Sequence, residues 1–269
     1  MAVFELYHGE ISTCSQKVRV TLAEKGQAWT SHHLDLRKAE QHRPEYLKLN
    51  PNGVVPTLVV DGVPIIESSV IIQYLDELIP APPLRPGDPL GRANMRLWMK
   101  RLDEEIHPLT GVLSSSIAFR FEEGHEAQIK TMINPAKRAR KMESFKLGVE
   151  APLFRKALAG YDKLLGDMEK VIAAEGYLAG GVYSLADISY IGYAVRLHHL
   201  GLQGLFEGRP GLQQWYATIT ARPAVKLAID DFAPDHSLDL MSTHGAESWP
   251  RIRAILGEVR GTASAEMAS

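Results

Sequence analysis

Five of the ten residues from Pro80 to Pro89 are proline. Each removes a backbone N–H and disfavours helix in the residue before it, so no regular element crosses this stretch. The chain is therefore divided there: strand-length apolar runs lie before the break and long patterns of helical period after it. A domain is expected over residues 1–80, a linker over 81–89, a helical domain over 90–259 and a flexible tail over 260–269. A chain of 269 residues is long enough for two cores.

Before the break, Val3 to Tyr7 reads as a strand with Tyr7 in the core, and Cys14 to Lys25 as a helix closed by Gly26. Trp29 to Leu34 is a weaker strand, and His42 to Leu49 a short helix with Tyr46 and Leu47 inward. Asp61-Gly62 between the runs Val54–Val60 and Val63–Ile66 is a strong hairpin signal. Ser68 to Leu78 closes the set as a helix carrying Val70, Ile71, Tyr74 and Leu75. The order is βαβαββα. After the break, Met95, Trp98, Leu102, Ile106, Leu109 and Leu113 recur at steps of three and four, giving one apolar helical stripe. Leu153 to Ala174 forms a second, with Leu158, Tyr161, Leu165, Met168 and Ile172. Helices are also expected at Pro210–Thr220 and Pro223–Asp231, and no strand. In Tyr183-Ser-Leu-Ala-Asp187-Ile188, Ser184 is expected to hold the amide of Asp187, Asp187 that of Ser184, and Tyr183 to pack on Ile188.

Charge and composition exclude several classes. Thirty basic against thirty-two acidic residues give a net charge of −2, so no global field draws nucleic acid or an anionic membrane. No run approaches the roughly 18 apolar residues of a membrane span. The start, MAVFELYHGE, lacks a basic segment followed by an apolar one, so no cleaved secretory signal is expected and the protein is placed in the cytoplasm. The single cysteine, Cys14, excludes an intrachain disulfide and a Cys-rich metal site. His198 and His199 are adjacent, about 100° apart on a helix, and so poor joint ligands; no metal site is expected. The basic run Lys137–Lys141 reads as a solvated helix face. Any thiol chemistry uses Cys14 or a thiol brought from outside.

Three strings in order carry a resemblance: Ser12-Thr-Cys-Ser-Gln-Lys-Val-Arg19, Asn50-Pro-Asn-Gly-Val-Val-Pro56-Thr-Leu58 and Glu67-Ser68-Ser69. With the helix start Ser184-x-x-Asp187, they make the chain resemble a glutathione transferase over nearly its whole length. Within that superfamily it is similar to bacterial glutathione-dependent β-aryl etherases through Lys38-x-Glu40-Gln41-His42, Met95-Arg96-x-Trp98-x-Lys100 and Asp103-Glu104. The resemblance implies an α+β chain, an N-terminal thioredoxin-like domain followed by an all-α helical bundle, with glutathione as cosubstrate and a homodimer as the assembly. It implies a cis Val55-Pro56 bond that turns the Val55 backbone toward the cysteinyl unit of glutathione. Glu67 and Ser68 would hold the γ-glutamyl end, and Gln41 and His42 the glycyl end.

Glutathione attacks as a thiolate, while a free thiol has a pKa near 8.5, so the site must stabilise the anion. A hydroxyl at a helix N-terminus does so: the helix amides and dipole favour negative charge and the O–H donates to sulfur. Ser12 is the first candidate, and its alternative role is a plain N-cap. Cys14 and Ser15 lie on the same turn. Cys14 could instead form a mixed disulfide, which would make the protein a thiol transferase or glutathione lyase; as a third possibility, the fold only binds glutathione. For a small hydrophobic or aromatic electrophile, Gly111, Ser115 and Phe119 form the candidate face.

Overall fold

The computed structural model describes residues 2–130, 132 and 134–268, with side chains described through Gly261. Strands β1 (Phe4–His8), β2 (Thr30–His33), β3 (Thr57–Val60) and β4 (Val63–Ile65) form one mixed sheet in the order β2-β1-β3-β4. β2 lies parallel to β1, Glu5 opposite Thr30, after a crossover through helix α1 (Thr13–Glu24). β3 runs antiparallel to β1 and pairs with β4 across Asp61-Gly62, whose φ angles of 49° and 81° are the left-handed pair that a two-residue hairpin turn requires. Helix α2 (Pro44–Leu47) follows β2, and α3 (Ser68–Leu78) follows β4. Leu6, Leu58, Val18, Leu22, Ile71 and Leu75 are fully buried, each contributing about 1.5–3 kcal/mol of apolar burial.

The remaining helices are α4 (Pro89–Arg101), α5 (His107–Ile117), α6 (His125–Lys130), α7 (Pro135–Leu147), α8 (Pro152–Glu175), α9 (Leu185–His199), α10 (Pro210–Thr220), α11 (Pro223–Ile229) and α12 (Asp235–Ala268). The expected stripe is buried at Met95, Leu102, Ile106 and Leu113, but a π-helical segment, Leu102–Ile106, interrupts it. Pro108 explains the interruption: it has no N–H for the carbonyl of residue 104, and its ring crowds that carbonyl. The wider turn instead lets His107 donate to the Leu102 oxygen, five residues back.

The chain forms two compact units. One comprises the described residues of Met1–Lys100, Val171–Ala194 and Gln213–Pro234, the other those of Arg101–Lys170, Val195–Leu212 and Asp235–Ser269. In the first, the proline-rich segment is tied down: Asp76 accepts from Lys25 Nζ at 2.6 Å and from the Leu84 amide at 2.9 Å, and Lys25 also donates to the Pro82 carbonyl. A second cis bond, Ala81-Pro82, lies in this segment. α12 carries the backbone of the expected tail through Ala268; Ser269 and the side chains beyond Gly261 lie outside the described residues.

Four expectations are corrected locally. β3 begins at Thr57, not Val54, because the Val54 carbonyl is held by Tyr46 Oη at 2.5 Å and Asn50 Nδ2 at 2.9 Å instead of by a strand. The helix expected from His42 starts at Pro44, since Arg43 precedes a proline and is extended. Tyr7 is half-buried rather than core: it lies on the sheet face opposite Leu6 and stacks on His32 at 4.3 Å. Ser184 Oγ accepts from the amide of Ala186 at 3.3 Å, not from that of Asp187, and donates its proton to the Asp187 carboxylate at 3.2 Å. The reciprocal bond, Ser184 N–H to Asp187, is present at 3.0 Å. Tyr183 lies 3.9 Å from the Arg222 guanidinium, which pairs with Glu24 through two bonds.

Candidate functional site

The loop Gly9–Ile11 leaves β1 and enters α1 at Ser12, the N-cap, with φ −65° and ψ 116°. Ser12 Oγ accepts from the Ser15 amide at 3.2 Å, which occupies a lone pair and leaves the hydroxyl proton available for donation. Its side chain is half-buried. Ser15, by contrast, is 0% exposed, and its hydroxyl accepts from the Gly9 amide at 3.2 Å. Cys14 is half-buried, with Sγ 3.6 Å from the Tyr193 hydroxyl. All three candidates thus share one helical turn with different exposure and partners.

The other candidates of this unit lie on three loops. Val55-Pro56 is cis, and both residues are buried. The turn ahead of it is fixed by Asn50, whose Oδ1 accepts from the Asn52 amide at 3.1 Å and whose Nδ2 reaches the Val54 carbonyl. Gly53, at φ +60°, packs under His42: a Cβ there would come within 2.8 Å of the His42 ring and 3.4 Å of the Gln41 carbonyl. Gln41 and His42 are therefore brought alongside the turn that leads to Val55. Gln41 Oε1 is buried and has no hydrogen-bond partner among the described residues, an acceptor that a ligand donor would satisfy.

Glu67 has φ 68°, outside the regions a non-glycine residue ordinarily adopts, and its side chain does not cap α3. Such an angle costs on the order of 1–3 kcal/mol and is a pointer to function rather than to folding. It turns the chain so that Ser68, buried, opens α3. Behind that first turn the buried Lys17 ammonium donates to Ser69 Oγ at 3.1 Å, adding positive charge to the helix end. An anion is thus favoured at this terminus.

Gly111, Ser115 and Phe119 belong to the second unit. Gly111 is exposed, with open space around its Cα. Ser115, one turn on, is 1% exposed, and its hydroxyl is unpartnered among the described residues. Phe119 opens the short 3₁₀ turn after α5, with the Arg196 guanidinium 5.5 Å from its ring centroid. Among the described residues no group of three or more His, Cys, Asp or Glu could hold a metal ion, and no helix is long and apolar enough to cross a membrane.

Lys17, Tyr46 and Asn50 are not among the site residues expected from the sequence, although Lys17 and Asn50 lie inside the motif strings and Tyr46 is expected as an inward helix residue. A search for exposed reactive groups passes over them, because they act by holding backbone or a neighbouring hydroxyl.

Comparison with known proteins places the chain. Residues 11–78 match the glutathione S-transferase N-terminal domain and residues 136–218 the glutathione S-transferase C-terminal domain. The chain is 33% identical over 230 residues to Protein LigF of Sphingobium sp. (strain NBRC 103272 / SYK-6), covering 79% of this chain and 87% of that one. It is 31% identical over 235 residues to maleylacetoacetate isomerase of Pseudomonas aeruginosa, covering 86% and 98%. The crystal structure of β-etherase LigF from Sphingobium sp. strain SYK-6 superposes with a TM-score of 0.75 at 29% identity, covering 85% of this chain and 99% of that one. The chain belongs to the glutathione S-transferase family.

Proposed function

We propose that the protein is a glutathione transferase in which Ser12 stabilises the thiolate of bound glutathione for attack on a hydrophobic, aromatic electrophile. The observation that carries this reading is the Ser12 hydroxyl, half-buried at the N-terminus of α1, with its oxygen accepting a helix amide and its proton uncommitted. Ser15 is the weaker candidate because its side chain is wholly buried. Gln41, His42 and the Val55-Pro56 turn would hold the glycyl and cysteinyl units, and Glu67 and Ser68 the γ-glutamyl end. Residues 1–80 would act as the glutathione-binding domain, 81–89 as the linker and 90–259 as the helical domain, in which Gly111 and Phe119 remain candidates for the electrophile while Ser115, 1% exposed, is too buried to meet it.

Bound glutathione supplies the sulfur nucleophile. Ser12 donates a hydrogen bond where negative charge gathers, and the α1 amides add their dipole. The likeness to Protein LigF and to the structure described as a β-etherase supports glutathione-dependent ether cleavage as the reaction class. In that displacement a C–S bond forms as the C–O bond of an aryl ether breaks. The electron pair departs on the aryloxide oxygen, which takes a proton from water.

Val70, Leu90 and Leu97 are 52%, 71% and 64% exposed on α3 and α4, two helices joined by Arg96 Nε and Gln73 Oε1 at 3.3 Å. These exposed apolar side chains support a homodimer formed through this face. A cytoplasmic location is part of the same proposal.

The test is turnover of a panel of aryl ethers, aryl halides, epoxides and disulfides with glutathione by the wild type, Ser12→Ala and Cys14→Ala. Ser12→Ala is expected to lower kcat/KM by about a hundredfold, the usual loss of one transition-state donor, and Cys14→Ala to leave it within about threefold. Loss in Cys14→Ala with retention in Ser12→Ala would move the chemistry to a Cys14 thiol transferase. Glutathione binding with no turnover of any electrophile would make the protein a binding module.

A further inference from the structure

Arg19 is two turns beyond Ser12 on α1 and 1% exposed, yet it has no role in the scheme above. Its guanidinium makes four hydrogen bonds. Nη1 donates to the Gly9 carbonyl at 3.0 Å and to His8 Nδ1 at 3.1 Å, Nη2 to the Glu10 carbonyl at 2.8 Å and Nε to the Ala228 carbonyl at 2.7 Å. The Phe232 ring covers it at 4.5 Å. Three of these four bonds grip consecutive residues, His8, Gly9 and Glu10, where β1 ends and the loop to Ser12 begins.

From the other side, the Gly9 amide is taken by Ser15 Oγ, and a Cβ on Gly9 would lie 2.8 Å from Leu36 Cδ1. The loop is therefore clamped by Arg19, Ser15 and Leu36, and only Ile11 separates the clamped residues from the Ser12 cap. An arginine buried at this cost in desolvation is expected to hold something that packing alone would leave loose. A lysine could not replace it, since one ammonium cannot span carbonyls 9, 10 and 228 in a planar fork.

We infer that Arg19 is a positioning residue for thiol activation, fixing the Gly9–Ile11 loop so that the Ser12 hydroxyl keeps its aim at the sulfur of bound glutathione. This rests on the reading of Ser12 as the thiolate's hydrogen-bond donor. Because Ala228 and Phe232 complete the clamp, the end of α11 and the segment after it share in setting that aim.

The experiment measures the pKa of enzyme-bound glutathione from its ultraviolet thiolate absorption across pH, with steady-state kcat and KM, in the full-length wild type, Arg19→Lys, Phe232→Leu and Ser12→Ala. Arg19→Lys is expected to raise the bound thiol's pKa by about one unit, a tenfold loss of thiolate at neutral pH, and to lower kcat while KM for glutathione stays within about twofold. Phe232→Leu keeps all four hydrogen bonds and is expected to cost about threefold in thiolate. A folded Arg19→Lys with the wild-type thiol pKa and kcat would overturn the inference. If circular dichroism shows that Arg19→Lys does not fold, Phe232→Leu decides, and an unmoved pKa there overturns it equally. Ser12→Ala separates the two levels. A thiol pKa unmoved by Ser12→Ala defeats the underlying reading, whereas a pKa moved by Ser12→Ala but by neither clamp variant defeats only the role of Arg19.

Discussion

His8 makes the clamp around Arg19 sensitive to acid. Its ring is 0% exposed, with Nδ1 accepting from Arg19 and Nε2 within 2.8 Å of Ser31 Oγ. An arginine can only donate, so Nδ1 must be bare and Nε2 must carry the proton. Burial, followed by the charges of Arg19, His33 and His32, lowers its pKa from 6.5 to about 3. The unfolded chain therefore takes up a proton near pH 6.5 that the folded chain refuses until about pH 3. Stability linked to His8 is complete above the unfolded value and falls as the solution is acidified through that window. With these two values the loss between about pH 8 and pH 5 is about 2 kcal/mol, at 1.36 kcal/mol per pH unit below the unfolded pKa.

His8→Gln isolates this share, because glutamine can accept from Arg19 and donate to Ser31 without titrating. Urea unfolding followed by tryptophan fluorescence at both pH values, in wild type and variant, gives four stabilities, of which only the double difference matters. The variant is expected to lose about 2 kcal/mol less than the wild type on acidification, whatever its stability at the higher pH. His198 and His199, whose pKa values burial lowers to about 4, act with the same sign in both proteins and cancel. Equal losses in the two proteins would refute the assignment of a neutral, acceptor His8.

Two further outcomes bear on the fold and the assembly. Asp187 is buried and accepts from the amides of Leu178 at 3.1 Å and Ser184 at 3.0 Å and from Trp215 Nε1 at 2.9 Å. Asp187→Ala strands these donors and is expected to lower unfolding free energy by about 3–5 kcal/mol, read as a drop in the urea midpoint. Leu97→Glu places a charge on the exposed face of α4 and is expected to shift the sedimentation profile from dimer to monomer; a monomeric wild type would remove the homodimer altogether.

The parts of this fold that were legible in the sequence are those whose signal is local. Asp61-Gly62 dictates its turn through its own φ angles, and α3 follows from residues three and four apart. Ser12 was legible as a cap because a hydroxyl before an apolar helix has few other uses. The π segment was hidden because the apolar stripe continues through it, and only the proline two residues later disturbs the hydrogen bonding. The start of β3 was hidden for a different reason: Val54 has the composition of a strand, but its carbonyl is claimed by Tyr46 and Asn50, and backbone acceptors leave no mark in residue type.

Arg19 leaves no local mark of this kind either. In sequence it is one of three charged residues in α1, with Lys17 and Glu24, and a charged helix residue ordinarily marks a solvated face. The partners of Arg19 are three carbonyls and the rings of His8 and Phe232, and two of these five lie more than 200 residues away, at Ala228 and Phe232. No short-range pattern encodes that closure. The chemistry-bearing hydroxyl is placed by local rules, and the accuracy of its placement is set by contacts that only the folded chain supplies. Variants that alter thiol reactivity without touching glutathione should therefore concentrate at His8, Arg19 and Phe232, where the loop before Ser12 is gripped.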